Sequence, residues 1–231
     1  MPDNARVAVG RRQFLYSASV MLAGVAVWPG SGIVFARRLA ARTELTPDEA
    51  LQELVAGNRR YVAERPTVVD RDPAVLRKRT AEKQEPFAGV LACADSRVPV
   101  ELVFDQSIGQ LFVARVAGNV VSPEITASLE YAVAVLGVRA LLVLGHSHCG
   151  AVKAAMKMES APGQISALYS HLRPAVDQSG GDVEKAVAVN ARLQAELLRG
   201  SSTVIREALA ARTLKVAAGV YDLASGRVAV L

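Results

Sequence analysis

The sequence predicts an α/β fold, a mostly parallel central sheet with an antiparallel edge strand, flanked by helices. Three observations carry that prediction. Residues 87–93, 111–116 and 140–144 are short apolar runs that read as strands, the first nearly continuous in apolar side chains, the pattern of a strand covered on both faces. Helical stretches separate them, giving the strand–helix alternation that parallel pairing needs. Residues able to do chemistry follow directly on the first and third runs, at the carboxyl ends of strands where open α/β sheets hold their ligands.

Before these runs, residues 1–36 have the layout of a signal peptide: a basic start containing Arg11-Arg12, an apolar run over 14–27, then Val34 and small Ala36 in the arrangement of a cleavage site. The order Arg-Arg-Gln-Phe-Leu looks like a twin-arginine signal, which predicts an export machinery as partner and a periplasmic protein. The alternative is an anchor on the outer face of the cytoplasmic membrane, since residues 14–35 nearly reach the ~20 needed to span a bilayer. Gly24, Pro29, Gly30 and Gly32 favour cleavage. Residues 37–231 then form one catalytic domain, long enough for a well-buried core and too short for two. The net charge is +5, and Arg6, Arg11 and Arg12 against Asp3 account for two of these charges. With no Lys/Arg block or aromatic-interleaved basic stripe, the composition argues against a nucleic-acid partner.

Thr46-Pro47-Asp48-Glu49 reads as a capping box with proline at the first helical position. Leu51, Leu54, Val55, Tyr61 and Val62 repeat at helical spacing behind it, so one helix face wants burial. Asp72-Pro73 starts a polar second helix ending near Gln84, and Ser122-Pro123-Glu124 caps a third that stops at Gly137. A further helix begins near Cys149. Residues 164–211 read as helical with interruptions at Pro174 and Gly180-Gly181, and 214–221 with 227–230 close the chain as a hairpin.

The chemistry lies in two places. VLACADSR carries Cys93, Asp95 and Arg97 at alternate positions, on one side if the strand continues. GHSHCG, about fifty residues on, carries His146 and Cys149 three apart. Thiolates and imidazole are the donors Zn²⁺ prefers, and three of them leave a fourth position, which a catalytic site keeps for water. Asp95 either takes that position or holds the water, with Arg97 as the alternative partner that decides. Two cysteines in an exported protein are more often a disulfide. Against that stand His146 at ligand spacing, the Asp-x-Arg beside Cys93, and an export route for folded proteins that lets zinc be loaded first. The other histidines, His148 and His171, read as solvated or packed residues.

At these residues the chain resembles the β-class carbonic anhydrases, whose signature is Cys-x-Asp-x-Arg followed far downstream by His-x-x-Cys in a Gly-His-Ser-x-Cys-Gly setting. The resemblance continues through FDQSIGQLFVARVAGNVV and back to GNRRYV near Asn58. It implies one zinc per chain on Cys93, His146 and Cys149, with Asp95 able to join them. It also implies reversible hydration of carbon dioxide to bicarbonate, with Asp95 and Arg97 as the catalytic pair. Gln84, Phe112, Tyr131 and Gly150 match residues that bind substrate or line its pocket. Some of these come from a neighbouring subunit in the family, which implies a homodimer or a multiple of it. Ala117 stands where several relatives carry valine. Relatives locked shut by bicarbonate carry a tryptophan three residues before the first ligand cysteine; here that position is Val90, although Arg115 matches an arginine of the same anion site. Rival readings are hydrolysis of carbon disulfide or carbonyl sulfide, and a non-catalytic module with a closed structural zinc site.

Overall fold

The computed structural model describes residues 45–67, 73–158 and 160–231; the signal segment expected over residues 1–36 lies outside the described residues. Helices α1 (Pro47–Val62) and α2 (Pro73–Thr80) precede strand β1 (Ala88–Ala92), helix α3 (Val100–Val103) and strand β2 (Leu111–Arg115). A 3₁₀ turn (Ala117–Asn119), helix α4 (Pro123–Ala134), strand β3 (Ala140–His146) and helix α5 (Gly150–Lys157) follow. After a second 3₁₀ turn (Ile165–Leu168) come α6 (Tyr169–Ser179), α7 (Val183–Ser201), α8 (Thr203–Ala210), β4 (Lys215–Tyr221) and β5 (Val228–Val230). The sheet order is β2-β1-β3-β4-β5, with the first four strands parallel and β5 antiparallel to β4. This is the predicted class and includes the predicted antiparallel edge.

β1 and β3 are buried at every residue, as strands covered on both faces must be. Side-chain alternation then divides the core. Val90, Ala92, Leu142, Leu144 and Tyr221 pack on Ala50 and Leu54 of α1 and on Val100, Val103 and Phe104. Leu91, Leu141, Val143 and Val216 pack on Leu129 of α4, Ala191, Ala195 and Leu198 of α7 and Ile205 of α8.

The capping box forms as expected, the Thr46 hydroxyl accepting from the Glu49 N–H and Glu49 reaching back to the Thr46 N–H. Elsewhere the structure corrects the boundaries. α2 stops at Thr80, short of Gln84. α6 runs through Pro174, the sixth of its 11 residues, where the missing N–H removes one intrahelical bond without ending the helix, and the break falls at the expected Gly180, left-handed at φ 65°. β3 continues to His146, beyond the apolar run, because its partner β4 pairs up to Tyr221.

α1 reaches the sheet at a close approach: a Cβ on Gly57 would stand 1.8 Å from the Phe104 carbonyl oxygen. Next to it the buried Asn58 amide donates to the carbonyls of Val103 and Gly226 and accepts from the Val228 N–H, joining α1 to both α3 and the closing hairpin. Two residues on, Arg60 Nε donates to Asp105 Oδ2 at 2.5 Å, and the Thr67 N–H and hydroxyl donate to the same carboxylate. Asp105 is fully enclosed at its side chain. Burial alone would raise its carboxyl, but the bonds from Arg60 and Thr67 outweigh burial and lower it.

A carboxylate lowered in the folded state contributes stability that is present above its unfolded pKa of about 4 and lost as pH falls through the folded value. Asp105→Asn, which keeps the shape and tolerates the left-handed backbone there, is expected to cost about 2 kcal/mol at pH 7. In urea titrations the gap to wild type should close as pH falls below about 4; a gap independent of pH would show that the charge contributes nothing.

Candidate metal centre

Parallel pairing of β1 with β3 sets Ala92 level with Leu144, so the residues that follow emerge side by side at the carboxyl edge of the sheet. Cys93 comes directly after β1, His146 closes β3, and Cys149 is the N-cap residue of α5. Their ligand atoms, two sulfurs and a ring nitrogen, lie within 4.8 Å of one another, and all three side chains are buried. Both cysteines are free, so the disulfide alternative is not what this fold holds. Val120, Val152, Leu172 and Val187 enclose the pair of sulfurs in apolar contacts.

The donor set fits a thiophilic cation. His146 Nδ1 lies 3.0 Å from the Ser147 carbonyl oxygen, which only accepts, so Nδ1 carries the proton and Nε2 keeps its lone pair. That Nε2 is buried with no hydrogen-bond partner among the described residues, an arrangement native interiors rarely tolerate without a ligand. The thiols are linked as well. A hydrogen bond from Cys149 holds the Cys93 sulfur as thiolate, lowered to about 4, and the same contact pushes the Cys149 thiol up. The pair therefore releases one proton readily and the second only against a neighbouring negative charge. A dication between them stabilises both thiolates at once.

Asp95 stands at the mouth. Arg97 Nε donates to Oδ1 at 2.9 Å, Arg97 Nη2 to Oδ2 at 2.8 Å, and the Arg97 backbone N–H to Oδ1 at 3.0 Å. Those bonds hold the Asp95 carboxyl far below the usual carboxylate range. Its Oδ2 is 3.8 Å from His146 Nε2. The cluster arises from a turn, the Val98 N–H donating to the Asp95 carbonyl, and not from an extended strand with three side chains on one side. Arg115, matched in sequence only to an anion site, is committed here. Its Nε donates to the Cys93 carbonyl at 3.0 Å and its Nη2 to the Asp95 carbonyl at 2.5 Å, so it braces the loop that carries both residues.

The other expected site residues are not all gathered. Gly150 opens α5 beside Cys149, exposed, with open space where a Cβ would stand. Gln84 is exposed in the loop before β1, a strand's length from the sulfurs, at the opposite end of the sheet. Phe112 lies on the edge strand β2 in register with Gly89, and its ring meets that of Tyr131 at 6.4 Å between centroids; Tyr131 is 47% exposed. Val90 is enclosed in the core on the α1 side. The sequence reading missed the N–H of Gly118, which donates to Cys93 Sγ at 3.3 Å. Its signal was the Gly-Asn pair after β2, a dipeptide that marks a tight turn.

The comparisons with known proteins agree with this geometry. Residues 88–228 match the carbonic anhydrase family. A carbonic anhydrase of Mycolicibacterium smegmatis is 36% identical over 79% of this chain and 92% of its own length. Carbonic anhydrase 2 of Mycobacterium tuberculosis is 34% identical over 78% and 91%. Among solved structures, a tetrameric β-carbonic anhydrase from Sordaria macrospora superposes with a TM-score of 0.64 at 28% identity, covering 69% of this chain and 87% of that one. The Coccomyxa β-carbonic anhydrase in complex with acetazolamide gives 0.61 at 30% identity over 69% and 78%. With the cysteine and histidine cluster standing where two parallel strands end, the chain belongs to the β-class carbonic anhydrases, enzymes of the reversible hydration of carbon dioxide.

Proposed function

We propose that the chain hydrates carbon dioxide at one zinc ion per protomer, held by Cys93, His146 and Cys149, with Asp95 and Arg97 orienting the nucleophile. The observation that carries this is His146 Nε2, buried and without a partner between two sulfurs. Zinc bound there supplies Lewis acidity that makes water nucleophilic near neutral pH. The remaining work falls to the chain. Arg97 keeps Asp95 ionised, so its carboxylate accepts a hydrogen bond from the attacking oxygen and turns a lone pair towards carbon. The apolar wall of Val120 and Val152 keeps the sulfurs dry. A closed structural zinc site would need Asp95 as a permanent ligand, and the fork of Arg97 competes for both of its oxygens. Hydrolysis of carbon disulfide or carbonyl sulfide is the runner-up, separated by direct assay.

Gln84, Phe112 and Tyr131 serve the pocket, on this reading, only across a contact between two copies of the chain. The exposed Tyr131 and Val135, one turn apart at the C-terminal end of α4 beside the edge strand β2, support such a contact. Export by the twin-arginine route to the periplasm, guided by Arg11-Arg12, completes the proposal.

Metal analysis should find one zinc per chain, and Cys149→Ala should lose it together with activity. A Cys93 to Cys149 disulfide in active, zinc-free protein would refute the site. Asp95→Asn should keep its zinc while hydration falls about 100-fold, measured by stopped-flow pH change; zinc lost in step with activity would favour the closed site instead. Because Val90 occupies the tryptophan position and Arg115 is spent on two carbonyls, inhibition by bicarbonate at constant ionic strength is expected to be non-cooperative. A steep, cooperative inhibition curve would contradict that expectation.

A further inference from the structure

Helix α7 carries two amide side chains where its neighbours are apolar. Asn190 and Gln194 lie one turn apart, 1% and 4% exposed, on the helix face that also buries Val187, Ala191 and Ala195. Buried amides are costly unless bonded, and these two are bonded in a defined direction. Asn190 Nδ2 donates to the Gly118 carbonyl at 2.9 Å, and Gln194 Oε1 accepts from the Val121 N–H at 2.7 Å. Between them, Gln194 Nε2 donates to Asn190 Oδ1 at 3.2 Å, and it also lies 3.4 Å from the His171 carbonyl oxygen. Two side chains of one helix thus hold both ends of the segment Gly118 to Val121.

That segment needs holding. Gly118 and Asn119 are consecutive left-handed residues, at φ 75° and 45°, and only the first is a glycine. Gly118 is also pressed between neighbours: a Cβ there would meet Leu172 Cδ2 at 3.2 Å and Ala151 Cβ at 3.4 Å. In this position its N–H points at Cys93 Sγ. A hydrogen bond to a thiolate draws charge from the sulfur, and its strength depends on the alignment of the donor.

We propose that Asn190 and Gln194 are positioning residues of the metal centre: by clamping Gly118 and Val121 they keep the Gly118 N–H on the Cys93 sulfur, and so set how firmly that thiolate binds the ion. Neither amide touches the reacting atoms. The inference rests on the zinc reading given above and adds to it a second layer from a helix that supplies no ligand.

The test uses the whole protein, loaded with zinc or with cobalt. Asn190→Ala is expected to lower zinc affinity about 10-fold, read by competition with a chelator, and to shift the thiolate-to-cobalt absorption band. Leu198→Ala, a fully buried change two turns further along the same helix with no bond to the clamped segment, should destabilise the fold while leaving both readouts at the wild-type value. Where Asn190→Ala does not fold, Asn190→Ser, too short to reach the Gly118 carbonyl, decides on the same two measurements. Wild-type affinity with an unchanged band in the folded Asn190 variant would overturn the clamp and leave the zinc reading standing. A wild-type protein that binds neither metal would overturn that reading itself.

Discussion

The register between β1 and β3 is the constraint on which the site depends. Ala92 pairs with Leu144, and from that level two residues carry the chain to His146 while one carries it to Cys93. Because side chains alternate along a strand, a slip of one residue would turn every buried group of β3 to the other face and send His146 away from the sulfurs. The slip is prevented by burial on both sides. Leu142 and Leu144 are fixed among the residues of α1, and Leu141 and Val143 among those of α4 and α7, so a slip of one residue would exchange the two sets between faces. Above His146 the approach is tighter still, since a Cβ on Gly145 would stand 3.0 Å from Val187 Cγ1.

A packed apolar end of the sheet is an odd place for two thiols and a histidine with a free ring nitrogen. Each group loses hydration there, and the Cys149 thiol, hydrogen-bonded to the Cys93 sulfur, is held back from ionising beside it. The fold tolerates the arrangement because apolar packing elsewhere over-determines it, which leaves a pre-formed cluster of donors that a bound cation would hold as thiolates. The Gly118 N–H and the two bonds of Arg115 to the Cys93 and Asp95 carbonyls act in the same sense, placing positive ends of dipoles and a fixed charge around the sulfur and its loop.

What the sequence made legible was local. Apolar runs announced β1 and β3 because strands buried on both faces need no partner information to be recognised, and β2, half-buried at the sheet edge, still showed its run of apolar residues. The metal ligands announced themselves by residue type and by the three-residue step from His146 to Cys149. The rest depended on contacts distant along the chain. Asn190 and Gln194 look like ordinary polar positions of a helix until the fold brings them to Gly118 and Val121, more than seventy residues away. Pro174 reads as a breaker because proline forfeits a helical bond, yet in α6 it stands mid-helix and the helix continues to Ser179. Gln84, Phe112 and Tyr131 were assigned only through resemblance, and one protomer leaves them apart from the ligands, so no reading of a single chain's periodicity could have placed them in a pocket.

The two arginines near the mouth divide their tasks, and the division bears on how Asp95 behaves. Arg115 grips main-chain carbonyls on either side of Ala94, which fixes where the loop lies; Arg97 grips the carboxylate, which fixes where the side chain points. A swing of Asp95 onto the metal would therefore require no movement of the loop, only the exchange of the Arg97 fork and the Arg97 N–H for a bond to the ion. Arg97 is half exposed and its released guanidinium returns to water at little cost, so the barrier to such a swing lies in Asp95 and not in its partner. With an ion bound, water would compete for the same place, and the Arg97 fork, by giving the carboxylate a partner of its own, would weight that competition towards water.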